Sequence, residues 1–268
     1  MFFCILSSLQ SINTLKNAQL KTIISFQNFS SDIFLSANNF TTFSQTTEGT
    51  EFWLSFMTNE KSPELSIMVS AKRACVLSIK NINTGYSASV NLTPGLNKIQ
   101  SSLTPVSESY VTSSEVIEKK SLLISSTDTI SLFASNYVAK VFDVAAILPT
   151  TALKDEYMIQ TYKNSSQKQQ YSPEFLIVAT EDNTVIDITP TWITSMGKPA
   201  NQPFTITLNK GESYQVQTEY SVLNSDLSGS IVKARDGKKL QFLTETSRNQ
   251  FPMVEETMEI TCLNRQCR

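Results

Sequence analysis

The side chains with which this chain could do chemistry are carboxylates, two tryptophans, four cysteines and a few Asn-x-Ser/Thr sequons; histidine does not occur. Without imidazole there is no Ser-His-Asp triad, no Cys-His dyad and no histidine metal ligand. The remaining catalytic option is a carboxylate pair. Asp155 and Glu156, with Asp182 or Asp187, could serve a glycosidase if two carboxyl groups met across a cleft at about 5–10 Å. Solvated loop charges account for the same residues. Glu181-Asp-Asn-Thr184 offers the hard oxygens of a calcium turn, but Asp182 and Asn183 equally suit a tight turn that tolerates left-handed backbone. Asp226-Leu-Ser-Gly-Ser230 could orient a ligand with its hydroxyls, or simply form an Asx turn at a strand entry. The expectation is no catalytic residue, no metal site and no cofactor.

Binding residues are more promising than catalytic ones. Trp53 sits inside the apolar run Phe52–Met57 and reads as core. Trp192 follows Pro190 and precedes Gly197-Lys-Pro199, so it is the candidate ligand-facing aromatic. Sequons at Asn28, Asn39, Asn91 and Asn164 permit N-glycosylation in a secreted protein. Asn164 lies in the loop-like run Lys163-Asn-Ser-Ser-Gln167, and Asn91 on an outward strand position. Cys262 and Cys267 form a lone C-x4-C that matches no zinc spacing and reads as a disulfide in an oxidising compartment. Cys4 stands in a leader-like start, and Cys75 reads as a small buried hydrophobe on a strand.

Composition narrows the partners. A net charge of -2 with no basic cluster argues against nucleic acid as ligand. Seven glycines and no phosphate-cradling motif argue against nucleotides. No apolar run reaches the ~20 residues of a membrane span. Residues 1–45 read as a leader-like and extended segment. Met1-Phe-Phe-Cys-Ile-Leu-Ser-Ser-Leu-Gln10 resembles the end of a signal-peptide core without its basic flank.

The elements that must position these residues are strands. Phe204, Ile206 and Leu208 alternate with Thr205 and Thr207, the period of a half-buried strand. A turn at Asn209–Glu212 and a second alternating run around Tyr214 and Val216 predict a hairpin. Ala88, Val90 and Leu92, a turn at Thr93-Pro-Gly95, and Leu96–Ser102 repeat that layout. Leu65–Ser70 and Ala74–Lys80 around Lys72-Arg73 correspond to Glu174–Thr180 and Val185–Thr189 around Glu181–Thr184. Ser121–Ser126 and Thr129–Ser135 around Thr127-Asp128 correspond to Gly229–Arg235 and Lys238–Thr244 around Asp236-Gly237. The matched turns Lys72/Asp182, Gly95/Gly211 and Asp128/Asp236 are displaced by 110, 116 and 108 residues. This spacing predicts an all-β chain of two tandem antiparallel β-sandwich units related by internal duplication, at 46–150 and 151–246. The first strand of the second copy is expected over Asp155–Lys163.

Several segments, taken in order, resemble the N-terminal domain family of the IgG Fc-binding protein, found in large secreted mucin-like proteins. They are Gly49-Thr-Glu-Phe-Trp-Leu-Ser-Phe-Met57, Leu148-Pro-Thr-Thr-Ala-Leu-Lys-Asp-Glu-Tyr157, Glu174-Phe-Leu-Ile-Val-Ala-Thr-Glu-Asp-Asn-Thr184, Leu208-Asn-Lys-Gly-Glu-Ser-Tyr214 and Asp226-Leu-Ser-Gly-Ser-Ile231. The chain departs from the family at Leu243-Thr-Glu-Thr-Ser-Arg248, where a Cys-Asp-His-Leu segment commonly follows. Residues 247–268 therefore read as a divergent or truncated tail. The resemblance implies a non-catalytic, extracellular, adhesive module. It supplies no Fc-contact residues, since none can be matched. The expected partner is a protein or glycan at an extracellular surface, met by loops and strand edges. A structural spacer of a larger mucin-like protein is the main alternative, and a carboxylate-dependent glycosidase the more distant one.

Overall fold

Alternating apolar residues build strands throughout, and short turns stack them into layers. A computed structural model describes residues 46–58, 63–100, 104–138, 141–164, 172–219 and 222–246, all within one compact unit. The first half contains β1 (Glu48–Leu54), β2 (Glu64–Ala71), β3 (Cys75–Lys80), β4 (Ser87–Leu92), β5 (Gly95–Gln100), a single helical turn α1 (Thr104–Ser107), β6 (Ile117–Glu118), β7 (Leu122–Val138) and β8 (Val141–Ile147). The second half contains β9 (Glu156–Met158), β10 (Pro173–Ala179), β11 (Thr184–Thr189), β12 (Phe204–Leu208), β13 (Ser213–Gln217), β14 (Ile231–Ala234) and β15 (Leu240–Thr246). The all-β, antiparallel, sandwich-like class expected from the alternation is what the chain adopts.

The turns join these strands differently from the expectation. β2 and β3 are consecutive but not paired: β2 lies between β5 and β7, and β3 between β4 and β7. β12 and β13 are likewise unpaired, the former bonded to β11 and the latter to β10. The expected hairpins are therefore arches: β12–β13 joins two separate sheets, while β2 and β3 flank β7 within one seven-stranded sheet. Side chains take over the turn hydrogen bonds that a hairpin ladder would supply. Asn97 accepts from Thr93 N at 3.0 Å and donates to Thr93 O at 2.8 Å, closing the β4–β5 arch.

A second correction concerns Thr127-Asp128, expected as a turn. The chain runs through it as one strand. Residues 122–126 of β7 lie between β1 and β3, while 132–138 lie between β2 and β8. β1 shifts register between Gly49 and Glu51 where it follows β7 past this point, the mark of a β-bulge. Arg73, on the β2–β3 arch, reaches Asp128 at 2.8 Å. The Thr129 N–H, ahead of the Arg73 charge, holds the Asp128 carboxyl below its usual range. A third correction is one of length: the strand expected over Asp155–Lys163 is only β9, Glu156–Met158.

Neighbour relations in the first half recur in the second. β10 lies between β13 and β15, as β2 lies between β5 and the later part of β7. β11 lies between β12 and β14, as β3 lies between β4 and the earlier part of β7. Each half buries its own apolar cluster. One contains Phe52, Leu54, Ile67, Val69, Leu77, Ile79, Ile124 and Leu132. The other contains Phe175, Ile177, Ile186, Ile188, Val216, Val232 and Phe242.

The halves are not beads on a linker. Every residue of β10 is buried, because its two faces serve different cores. Phe175, Ile177 and Ala179 face the second cluster, while Leu176 joins the first with Leu243. Gln215 is fully buried on that same seam. It accepts from Thr58 N at 3.0 Å and donates to Thr58 Oγ1 at 2.8 Å. β6 adds to the free side of β13, pairing Ile117 with Tyr214 and Glu118 with Ser213.

Candidate binding surface

Two loops from different halves meet beside β13 and expose apolar side chains. The first runs from Val111 into β6. Its Ser114 Oγ accepts from Ser195 Oγ at 2.9 Å and from Gln217 N at 3.1 Å. The second loop follows β11. Thr194 organises it: buried to 1% exposure, it accepts at its carbonyl from Gly197 N (2.9 Å) and at Oγ1 from Lys198 N (3.0 Å). Met196 is thereby held at the tip of a closed turn, 68% exposed.

The loops are locked together. Met196 N donates to Glu115 Oε1 at 3.1 Å, and Ser195 N to the Gln217 carbonyl at 2.8 Å. Glu115 takes a left-handed φ of 56°, unusual for a non-glycine residue. Around this join stand Val116, Ile117 and Ile193, all exposed along with Met196. Lys198 covers the Phe204 ring at 5.3 Å. Burial, and secondarily the charge of Glu115, raises the Tyr214 hydroxyl above its usual range, so it stays a neutral phenol beneath the platform. Four exposed apolar side chains thus stand on two segments joined by hydrogen bonds.

The residues singled out in the sequence fall elsewhere. Trp192 is partly buried and packs against the second core instead of standing clear at the surface. Trp53 is 1% exposed. Asn91 is exposed on β4. Asn164 is 2% exposed, with Nδ2 directed to Val222 O at 3.4 Å, so the folded chain offers it no room for a glycan. Asn28, Asn39, Cys262 and Cys267 lie outside the described residues. Cys75 is a free, buried thiol, to which Ser126 Oγ donates at 3.5 Å.

Two of the acid candidates, Glu156 and Asp187, share one sheet face on either side of Lys233, but each is neutralised by a cation. Asp187 is held by Arg235 through two contacts of 2.9 Å, and Arg235 then Thr205 lower its carboxyl pKa. Glu156 pairs with Lys233 at 2.7 Å. Asp182 accepts from Lys210 N at 3.0 Å and shapes its turn. Asp226 forms the Asx turn, accepting from Ser228 N at 2.8 Å and from Thr161 Oγ1 at 2.9 Å. Sequence reasoning missed Met196 and Val116. A signal existed for Met196: an apolar residue inside Ser195-Met-Gly-Lys-Pro199 occupies a turn that cannot bury it.

The fold defines a class, an antiparallel, sandwich-like β scaffold with exposed loops. Residues 143–257, less than half of the chain, match the family described as IgGFc binding protein, which supports the resemblance over that stretch. The match takes in four of the five segments that carry the likeness, though Leu208–Tyr214 and Asp226–Ile231 contribute only to its later part; Gly49–Met57 lies outside it. Among curated proteins none matches. Among solved structures, hazelnut (Corylus avellana) vicilin is similar at 10% identity over 74% of this chain and 72% of that one, with a TM-score of 0.24, too low to carry an argument. Among the described residues no helix is long and apolar enough to cross a membrane.

Proposed function

We propose that this chain is a non-catalytic extracellular binding module that engages a protein through the Val116–Ile117–Ile193–Met196 platform. The observation that carries the reading is the exposure of these four side chains on two loops fixed to each other by backbone and hydroxyl hydrogen bonds. A preformed surface loses little conformational entropy on binding. The IgGFc-binding match favours a protein over a glycan as ligand, and the ion-paired states of Asp187 and Glu156 speak against the glycosidase alternative. A spacer would have no use for an apolar patch kept in water.

We further propose that 46–150 and 151–246 descend from one duplicated sandwich unit. The recurring neighbour relations of β2, β3, β10 and β11 support this. Secretion would allow a Cys262–Cys267 disulfide and a glycan on Asn91. The test is surface plasmon resonance of the whole chain over immobilised immunoglobulin Fc and a panel of secreted proteins, with a glycan array in parallel. Met196→Asp is expected to weaken protein binding at least about tenfold, as for a central apolar contact. Binding to glycans alone, or protein binding indifferent to Met196→Asp, would overturn the reading.

A further inference from the structure

We propose that the outer edge of β5 is a docking site for an extended peptide of a partner protein, which joins the first-half sheet as an added strand. The inference goes beyond the loop platform and rests on separate observations.

The first observation is the contrast between equivalent edges. β13 pairs with β10 on one side and is covered by β6 on the other. β5 holds the corresponding place beside β2. Ile99 faces Ile67 as Tyr214 faces Ile177, and each is buried in its own core. Among the described residues nothing pairs with the outer side of β5. A strand edge left in this state presents a row of backbone donors and acceptors to any extended chain.

The second observation is that β5 has few of the usual guards of an open edge: its register shows no bulge, and its one charge can meet an acid on the occupant. It contains no proline, and its one lysine, Lys98, is tied to Glu64 at 3.2 Å. Leu96 is 71% exposed on this strand. Leu96 thus stands ready beside unpaired backbone, the combination that strand addition uses.

The register of β6 states the chemistry of the occupant. On β13 an apolar residue, Ile117, lies opposite Tyr214, and an acid, Glu118, lies opposite Ser213. Carried to β5, this places an apolar residue opposite Ile99 and an acid opposite Lys98. Antiparallel pairing then puts the residue two beyond the acid opposite Leu96, on the same face as the acid. The peptide that fits therefore reads apolar, acidic, any residue, apolar.

The probe is the labelled octapeptide Thr-Thr-Val-Glu-Thr-Val-Thr-Thr, followed by fluorescence anisotropy on the full chain. Saturable binding is expected, with new deuterium-exchange protection over residues 95–100. Leu96→Asp should weaken it at least about tenfold at an unchanged melting temperature, as for a desolvated apolar anchor. Of prolines placed singly at the third threonine and at the valine after it, one should abolish it, because one of two successive residues must donate to β5. Lys98→Glu should weaken the Glu peptide and favour the same peptide with Lys in place of Glu. Absence of saturation at about 1 mM, protection confined to other strands, or indifference to Leu96→Asp would overturn the proposal. So would self-association of the wild-type chain that Leu96→Asp abolishes, since the occupant would then be a second copy. None of these outcomes bears on the platform, which is read by Met196→Asp.

Discussion

Gly49 and Gly211 show how single residues hold this architecture. A Cβ at Gly49 would overlap the Pro149 side chain, so β1 can lie against Pro149 only where no side chain intervenes. Two separated sequence segments, Gly49–Met57 and Leu148–Tyr157, thus meet at one contact. Gly211 combines a φ of +77° with a Cβ position 2.9 Å from both Ile82 Cγ1 and Asn83 Nδ2. Gly211→Ala is expected to lower stability by about 1–3 kcal/mol, from left-handed strain plus displacement of the Ile82–Asn83 turn; urea unfolding with an unchanged slope checks it. Tyr157 makes a pH-dependent contribution. Its hydroxyl accepts from Lys154 N at 2.9 Å and donates to Leu240 O at 2.8 Å, and burial raises its pKa to about 12. A tyrosine ionises near 10 when unfolded. Between pH 10 and 12 the folded chain therefore keeps a proton that the unfolded chain releases, so this contribution is whole below pH 10 and fades as pH rises. Tyr157→Phe should cost about 1–2 kcal/mol at pH 7 through the lost hydrogen bonds and flatten the fall in stability above pH 10, both read from melting curves across pH.

At the scale of elements, the alternation of Phe204–Leu208 or Leu65–Ser70 gave strands at nearly their observed bounds, because a period of two depends only on which face is buried. Pairing depends on partners far along the chain, and the same short turn serves a hairpin or an arch. That is why β2–β3 and β12–β13 were expected as hairpins. Thr127-Asp128 looked like a turn by residue type, yet its partners are distant: Val76 N donates to Thr127 Oγ1 at 3.0 Å, and Arg73 holds Asp128. The platform was hidden for the opposite reason. Tryptophan and carboxylates attract attention as ligand-binding types, whereas Val116 and Met196 matter only because the fold leaves them in water. The β4–β5 arch gives a direct test. Asn97→Ala removes three side-chain bonds to Thr93 and is expected to cost about 1 kcal/mol. It should speed hydrogen exchange at Thr93 with little effect on β12 and β13.

For the molecule as a whole, the decisive question is whether the halves unfold together. Phe52 and Leu54 enter the first core, so strand alternation turns Trp53, between them, to the opposite face. There it is 1% exposed with Lys210 of the second half over its ring at 5.7 Å. Leu176 and Leu243 cross in the other direction, and Gln215 clasps Thr58. A seam filled by a tryptophan and satisfied by buried amide hydrogen bonds couples the sandwiches far more tightly than a mobile linker would. Calorimetry and tryptophan fluorescence should therefore report one coincident transition. Trp53→Ala empties the largest side chain from this seam and is expected to cost about 3–5 kcal/mol. If the seam is the coupling, that variant should split the transition in two, with the second core melting apart from the first. A wild-type chain that already melts in two steps would mean that the contacts across the seam are too weak to hold the platform and the β5 edge in a fixed relation.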